Sequence, residues 1–185
     1  MNAKKFSFPV LLKSLAAGTA IATVFCVLWN LHAPRDWLLS AAITFGTTCY
    51  HLTMRLLVGF IGSHIPIREN SRWFQPRLFE QKLCRVLRVK RWKSAMPTYD
   101  PDSFSLQKNT LEQVIRNSCT AELVHTLILP LSFLPLFAAR LWGAFPVFLV
   151  TSILAALLDS AFIIMQRYNR PRLVRILKKK EAFRE

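Results

Sequence analysis

Four long runs of apolar residues, separated by polar and basic stretches, organise the chain. The first extends from Phe8 to Leu31, and a helix needs about 20 such residues to cross about 30 Å of hydrocarbon. Lys4 and Lys5 precede it and a second apolar run follows almost at once. It therefore reads as a retained membrane helix rather than a cleaved leader, with Lys13 snorkelling toward the cytoplasmic side. The second run covers 37–62. The third covers 121–141 and is interrupted by Pro130 and Pro135, each of which removes a backbone donor and tends to kink a helix. The fourth covers 142–165, and the near absence of a link to the third predicts a tight helical hairpin. The expected fold is all-α: a polytopic membrane protein with about four transmembrane helices, forming a single integral membrane domain over 1–185.

The segment 66–120 is too long for a structureless loop in so small a protein. Phe79, Leu83, Val86 and Leu87 repeat at three and four, while Arg77, Lys82, Arg85 and Arg88 take up much of the remaining circumference. That pattern predicts an amphipathic helix lying in the cytoplasmic membrane interface, with Trp73 and Trp92 as headgroup-level anchors. The Asp100-Pro101 step marks a turn. A further helix is expected to start at Asn109 or Thr110, because Asn109 precedes Glu112 by three as a variant capping box, and to run on into the third membrane helix. In the basic tail 166–185, Asn169 reads as a cap and Pro171 as the first position of a new interfacial helix, with Leu173, Ile176, Leu177 and Phe183 toward lipid.

Composition agrees with a bilayer. Hydrophobic residues make up 52% and charged residues 19%, too apolar for a disordered chain and unusual for a soluble one. The 25 Lys and Arg against 10 Asp and Glu would suggest nucleic acid in a soluble protein. In a membrane protein they set orientation. The segment 66–120 holds eleven basic residues and the tail after Gln166 eight, whereas the other two connections hold only Arg35 and Arg140. Both termini and the middle segment are therefore expected in the cytoplasm of a multi-pass cell-membrane protein, with membrane lipids and no nucleic acid as partners. Four cysteines without a CxxC spacing, and four histidines without HExxH, give no disulfide framework and no metal site.

Polar residues within or beside the apolar runs are the candidates for chemistry. His51 and Arg55 share a helical face, and two placements are open to Arg55, snorkelling to headgroups or entering a polar pocket. Asp159 is costly against lipid and is expected to point inward, toward Arg55 or His51. Glu122 and His125 lie three apart, so Glu122 could orient His125 as a general base; the same spacing fits an ion pair at a helix entrance. Arg167, Asn169, Arg170 and Arg172, directly after the fourth run, could bind phosphate or pyrophosphate bidentately. Alternatively, they mark the cytoplasmic end of a helix. Lys90-Arg91-Trp92-Lys93, with Trp92 and Lys93 as candidate contacts, admits the same two readings.

Four blocks carry a resemblance: Phe79-Glu80, Val89-Lys90-Arg91-Trp92-Lys93, Ala121-Glu122-Leu123-Val124-His125, and Gln166-Arg167-Tyr168-Asn169-Arg170-Pro171-Arg172-Leu173. In order and spacing they resemble the signature of the glycosyl-4,4'-diaponeurosporenoate acyltransferase family of bacterial carotenoid biosynthesis. Gly62-Ser63-His64-Ile65-Pro66 is similar as well. Asn117, Ser118, Thr120 and Thr126 stand where the family pattern has Glu, Thr, Arg and Trp.

The resemblance implies a fatty acyl transfer onto the sugar hydroxyl of a glycosylated carotenoid or related glycolipid, without a cofactor. The donor would be acyl-CoA or another acyl thioester. Glu122 and His125 would be catalytic, and Arg167, Asn169, Arg170, Arg172, Trp92, Lys93 and Asp159 would contact substrate. Two other classes remain open at this point: a non-catalytic membrane protein that binds lipid or assembles with a partner enzyme, and a methyltransferase-like membrane enzyme. Convergence of Glu122, His125, Arg167, Asn169 and Arg170 on one cavity would favour the acyltransferase. Oligomeric state is open.

Overall fold

The computed structural model describes residues 8–183; Lys4 and Lys5, expected to flank the first helix, lie outside them. The described residues form helices and short 3-10 turns, with no strand among them. The seven helices are α1 (Phe8–His32), α2 (Asp36–Ser63), α3 (Leu78–Val86), α4 (Val89–Trp92), α5 (Leu111–Leu131), α6 (Ala139–Trp142) and α7 (Phe145–Ala182). Three stretches are long and apolar enough to cross a membrane: Phe8–His32, Leu111–Trp142 and Phe145–Ala182. This is a helical membrane protein. The fourth long helix, α2, falls outside that group because it carries Asp36, His51, Arg55 and four threonines.

Those threonines are nevertheless compatible with an apolar setting. Thr44, Thr47 and Thr48 each donate a hydroxyl to the carbonyl four residues earlier, at 2.9, 2.7 and 2.8 Å, so none presents an unsatisfied donor.

Two expected boundaries move. The third apolar run is not one helix over 121–141: α5 begins at Leu111, as expected of a helix that starts near 110 and runs on, but ends at Leu131, and a 3-10 turn over Leu134–Ala138 leads into α6. Pro135 has no N–H to offer the Leu131 carbonyl, which accepts the Tyr50 hydroxyl at 2.8 Å instead. The link after α6 is tight, as expected: Gly143 takes a φ of 65° and Ala144 one of 50°, the former at no side-chain cost. In the tail no new helix begins at Pro171. Instead α7 continues through it for 38 residues, about 57 Å at 1.5 Å per residue, roughly 27 Å more than the hydrocarbon needs.

The helix start near 110 is also resolved differently in detail. Thr110 is the cap, its hydroxyl accepting from the Gln113 N–H at 3.3 Å while the Gln113 side chain accepts from the Thr110 N–H at 2.8 Å. This is the reciprocal capping box. Asn109, expected in that role, instead donates to the carbonyls of Asp102 and Ser105.

The chain divides into two compact units. One takes in the chain up to Val58 together with Leu127–Leu158. Its buried residues include Leu38, Ala42, Met54, Ile128 and Phe148, while Val24, Phe25, Leu28, Leu154 and Leu157 are exposed, as lipid-facing residues must be. Arg55 takes the inward placement here, donating to the carbonyls of His51 at 3.0 Å and Ala155 at 3.2 Å.

The other unit takes in Gly59–Thr126 together with the chain from Asp159. There α2 meets α5 so closely at Gly62 that an added methyl would overlap a Val124 methyl, and Val is stiff at χ1. Gly62→Ala should lower stability by about 1–2 kcal/mol in detergent unfolding, the overpacking cost exceeding the gain in helix propensity. Adding Val124→Ala should restore most of that loss. A stabilised single variant would contradict the close approach.

Candidate functional site

Within the second unit, α5 and α7 present polar stripes to one another. On α5 the stripe is Ser118, Cys119, Glu122 and His125; on α7 it is Asp159, Gln166, Arg167 and Arg170, at the spacings that keep residues on one helical face. The pairings run in opposite chain directions, so these segments are antiparallel. His125 Nδ1 meets Asp159 Oδ1 at 2.8 Å, the Ser118 hydroxyl donates to Gln166 Oε1 at 3.0 Å, and Arg170 Nη1 donates to Cys119 Sγ at 3.3 Å.

Glu122 is completely buried and does not serve His125 as the sequence suggested. Its Oε1 accepts from Arg167 Nε at 2.9 Å and pairs with Nη2 at 2.7 Å, while Oε2 accepts from Arg170 Nη2. Arg167 also reaches Glu80 through Nη1, and the Trp73 carbonyl through Nη2 at 3.0 Å. Glu80 in turn accepts the Arg77 N–H at 3.2 Å, starting α3. Two carboxylates and two guanidinium groups thus form one neutral network tying α3, α5 and α7 together. An arginine whose three nitrogens are all engaged has little capacity left for a substrate phosphate. Arg167 and Arg170 tie the helices together, and the bonds they make here compete with the substrate contacts expected of them.

The partner that His125 does have is Asp159, whose side chain is wholly buried, while His125 keeps about a fifth of its side-chain surface open, at 21%. The imidazole stacks on Phe162, with ring centroids 4.5 Å apart and planes 8° from parallel. A carboxylate can only accept, so against an ionised Asp159 the donor in this pair is Nδ1. Sequence spacing suggested Glu122 because it is local. Asp159 lies 34 residues away; the sequence predicted its inward placement from the cost of a charge against lipid, but offered Arg55 or His51 as its neighbours.

The remaining expected residues gather on the basic side. Lys93 Nζ donates to Asn169 Oδ1 at 2.8 Å and lies 5.1 Å from the Tyr168 ring centre. Arg172 donates to the Tyr168 hydroxyl at 2.6 Å and stacks 4.0 Å over the same ring, a cation–π contact. Trp92 Nε1 donates to the Leu87 carbonyl at 2.9 Å, closing the turn between α3 and α4.

Beside these residues opens a cavity of about 500 Å³. Arg77, Arg85, Arg88, Lys90 and Arg91 line one side, and Arg167, Arg172 and Arg175 on α7 line the other; among the described residues Glu80 is the single carboxylate in its lining. His125, Glu122, Asn169 and Arg170 do not line it, so the expected convergence of all five on one cavity is only partial. Cys84 also borders the cavity. Burial pushes its thiol up from the ordinary value, the Glu80 carboxylate adds to this and Arg172 opposes it, so Cys84 is not a thiolate nucleophile at neutral pH. No group of three His, Cys, Asp or Glu that could hold a metal occurs among the described residues.

Removing Glu122 would strand the buried Arg170 and leave Arg167 with Glu80 as its single carboxylate partner. Glu122→Ala should cost about 3–5 kcal/mol, whereas Arg116→Ala, which breaks a largely exposed pair with Glu69 at 2.7 Å, should cost under about 1 kcal/mol. Thermal unfolding of both variants in detergent gives the comparison. Equal small losses would contradict the network's structural role.

The family model for glycosyl-4,4'-diaponeurosporenoate acyltransferase matches residues 70–179, more than half of the chain. Neither a curated protein nor a solved structure matches.

Proposed function

The chain belongs to the glycosyl-4,4'-diaponeurosporenoate acyltransferase family, and from that premise we propose that it moves a fatty acyl group from a thioester donor onto a sugar hydroxyl of a glycosylated carotenoid or related glycolipid. The observation that carries the reading is the His125–Asp159 pair at 2.8 Å: a part-open imidazole held by a wholly buried carboxylate. Glu122 enters the reaction only by fixing α5 against α7.

The proposed step is general-base catalysis. His125 Nε2 takes the proton of the acceptor hydroxyl as its oxygen attacks the thioester carbonyl carbon. The tetrahedral intermediate collapses, the C–S bond breaks, and the proton passes from His125 to the departing sulfur. Asp159 holds the ring in the required tautomer and stabilises the imidazolium as it forms. Phe162, stacked on the ring, limits its rotation. Lys93, Asn169 and Arg172 are the polar groups proposed to meet the donor, with Trp92 holding the turn that carries Lys93.

The proposed topology places the basic end of α7 and the segment 66–120 in the cytoplasm, at the inner leaflet of the cell membrane, by the bias of basic residues. Exposed Leu78, Phe79, Leu83, Val86 and Leu87 support this, because an apolar stripe beside so many cations fits an anionic lipid interface.

A second reading, a lipid-binding protein without turnover, is favoured by one observation: the cationic cavity does not include His125. Purified protein given an acyl-CoA and a glycosylated terpenoid separates the two. His125→Ala should abolish ester formation and Asp159→Asn should reduce it by about 10²-fold or more. Both variants should keep wild-type retention on gel filtration. Turnover unchanged in His125→Ala would remove this residue from the chemistry, and no turnover in any protein would leave the binding reading.

A further inference from the structure

The cavity on the basic side poses an electrostatic problem that the proposed acyl transfer does not by itself answer. Eight cationic side chains share its walls with one carboxylate, and that carboxylate, Glu80, is already engaged by Arg167. Of the eight cations, Arg167 pairs with Glu80 and Glu122, and Arg172 stacks on the Tyr168 ring. Like charges gathered along one recess repel one another and attract an anion of high charge density, although water and salt screen groups as exposed as these.

A second observation lies in the backbone. Arg88 adopts a left-handed conformation, φ 50° and ψ 40°, just past the end of α3. Glycine is usual at this position because a side chain there is strained. The chain instead places an arginine whose side chain borders the cavity. Strain retained at a functional residue is the pattern expected where the side chain, not the backbone, is what matters.

A third is the disposition of α3. Glu80 and Cys84 are buried and border the cavity, while Leu78, Phe79, Leu83 and Val86 are exposed. A ligand with a phosphate head in the cavity could extend an acyl chain past this helix into hydrocarbon.

We propose that the cavity walled by Arg77, Arg85, Arg88, Lys90, Arg91 and Arg175 is a phosphate-binding site that holds the phosphate groups of the acyl donor or of an anionic lipid. Guanidinium forks match phosphate oxygens bidentately, and the volume lies within the range of small-molecule sites. The inference rests on the acyltransferase reading only for the identity of the ligand. His125 performs the chemistry, and this cavity anchors a head group.

The test is binding, measured with the full chain in a phosphate-free maltoside detergent against pyrophosphate, coenzyme A and detergent-dispersed phosphatidylglycerol. Arg88→Gly should keep or raise the unfolding temperature, since glycine relieves the left-handed strain, yet weaken binding about tenfold or more. Arg85→Gln with Lys90→Gln should weaken it similarly. Tight coenzyme A and pyrophosphate binding identifies a soluble phosphorylated donor; phosphatidylglycerol binding alone identifies a lipid headgroup. Either result supports the site if the variants lose it. No binding of any probe, or binding unchanged in both variants, overturns the proposal. No binding of any probe to the wild-type chain with ester formation intact sinks this inference alone, and binding that the variants lose without ester formation in the wild type sinks the acyltransferase reading alone.

Discussion

A carboxylate taken out of water costs several kcal/mol unless cations come with it, and Glu122 is taken out completely, with Arg167 and Arg170 beside it. This requirement fixes much of the second unit. Both arginines sit on α7, three residues apart, and Glu122 sits midway along the buried stripe of α5, so the charges are satisfied in the register the two helices adopt. Arg167 then reaches Glu80, which brings α3 to the same place and leaves its apolar face outward. The same register sets His125 opposite Asp159. A network that does no chemistry thus aligns the pair that, in the proposed mechanism, does.

The division of labour among cations follows from their partners. Arg167 and Arg170 are saturated by carboxylates, a backbone carbonyl and a sulfur, and they serve the fold. The cations of α3 and α4, together with Arg175, face a cavity that has a single acid among its described lining. They retain the capacity to bind an anion. Cys84, at the same cavity, is held as a neutral thiol by burial and by Glu80, which argues against an acyl group parked on sulfur.

Much of this was legible in the sequence, and the limits have physical reasons. The end of the first apolar run at Leu31 lies one residue from the end of α1 at His32, because little near it competes with a membrane helix. The α3 stripe of Phe79, Leu83, Val86 and Leu87 was readable because periodicity is a local property. The passage of α7 through Pro171 was not, since a proline two residues after an asparagine reads locally as a helix start. What overrides it is the set of contacts Arg167 and Arg170 make with α5, more than forty residues away in sequence. For the same reason Glu122, three residues from His125, stood in for the true neighbour. A charged residue in an apolar run announces that it needs a partner, but only the register of packed helices says which. The cations of the middle segment could be counted from the sequence; which of them meet in a cavity depends on the left-handed turn at Arg88.

The central claim is that this helical membrane protein transfers a fatty acyl group to a glycosylated lipid. Its most direct test is mass spectrometry of lipid extracts from cells that accumulate a glycosylated carotenoid and are fed an isotopically labelled fatty acid, with and without the protein. The account predicts a new labelled ester on the sugar, present only when the protein is. Stable membrane expression, abundant glycoside and no labelled ester would contradict it.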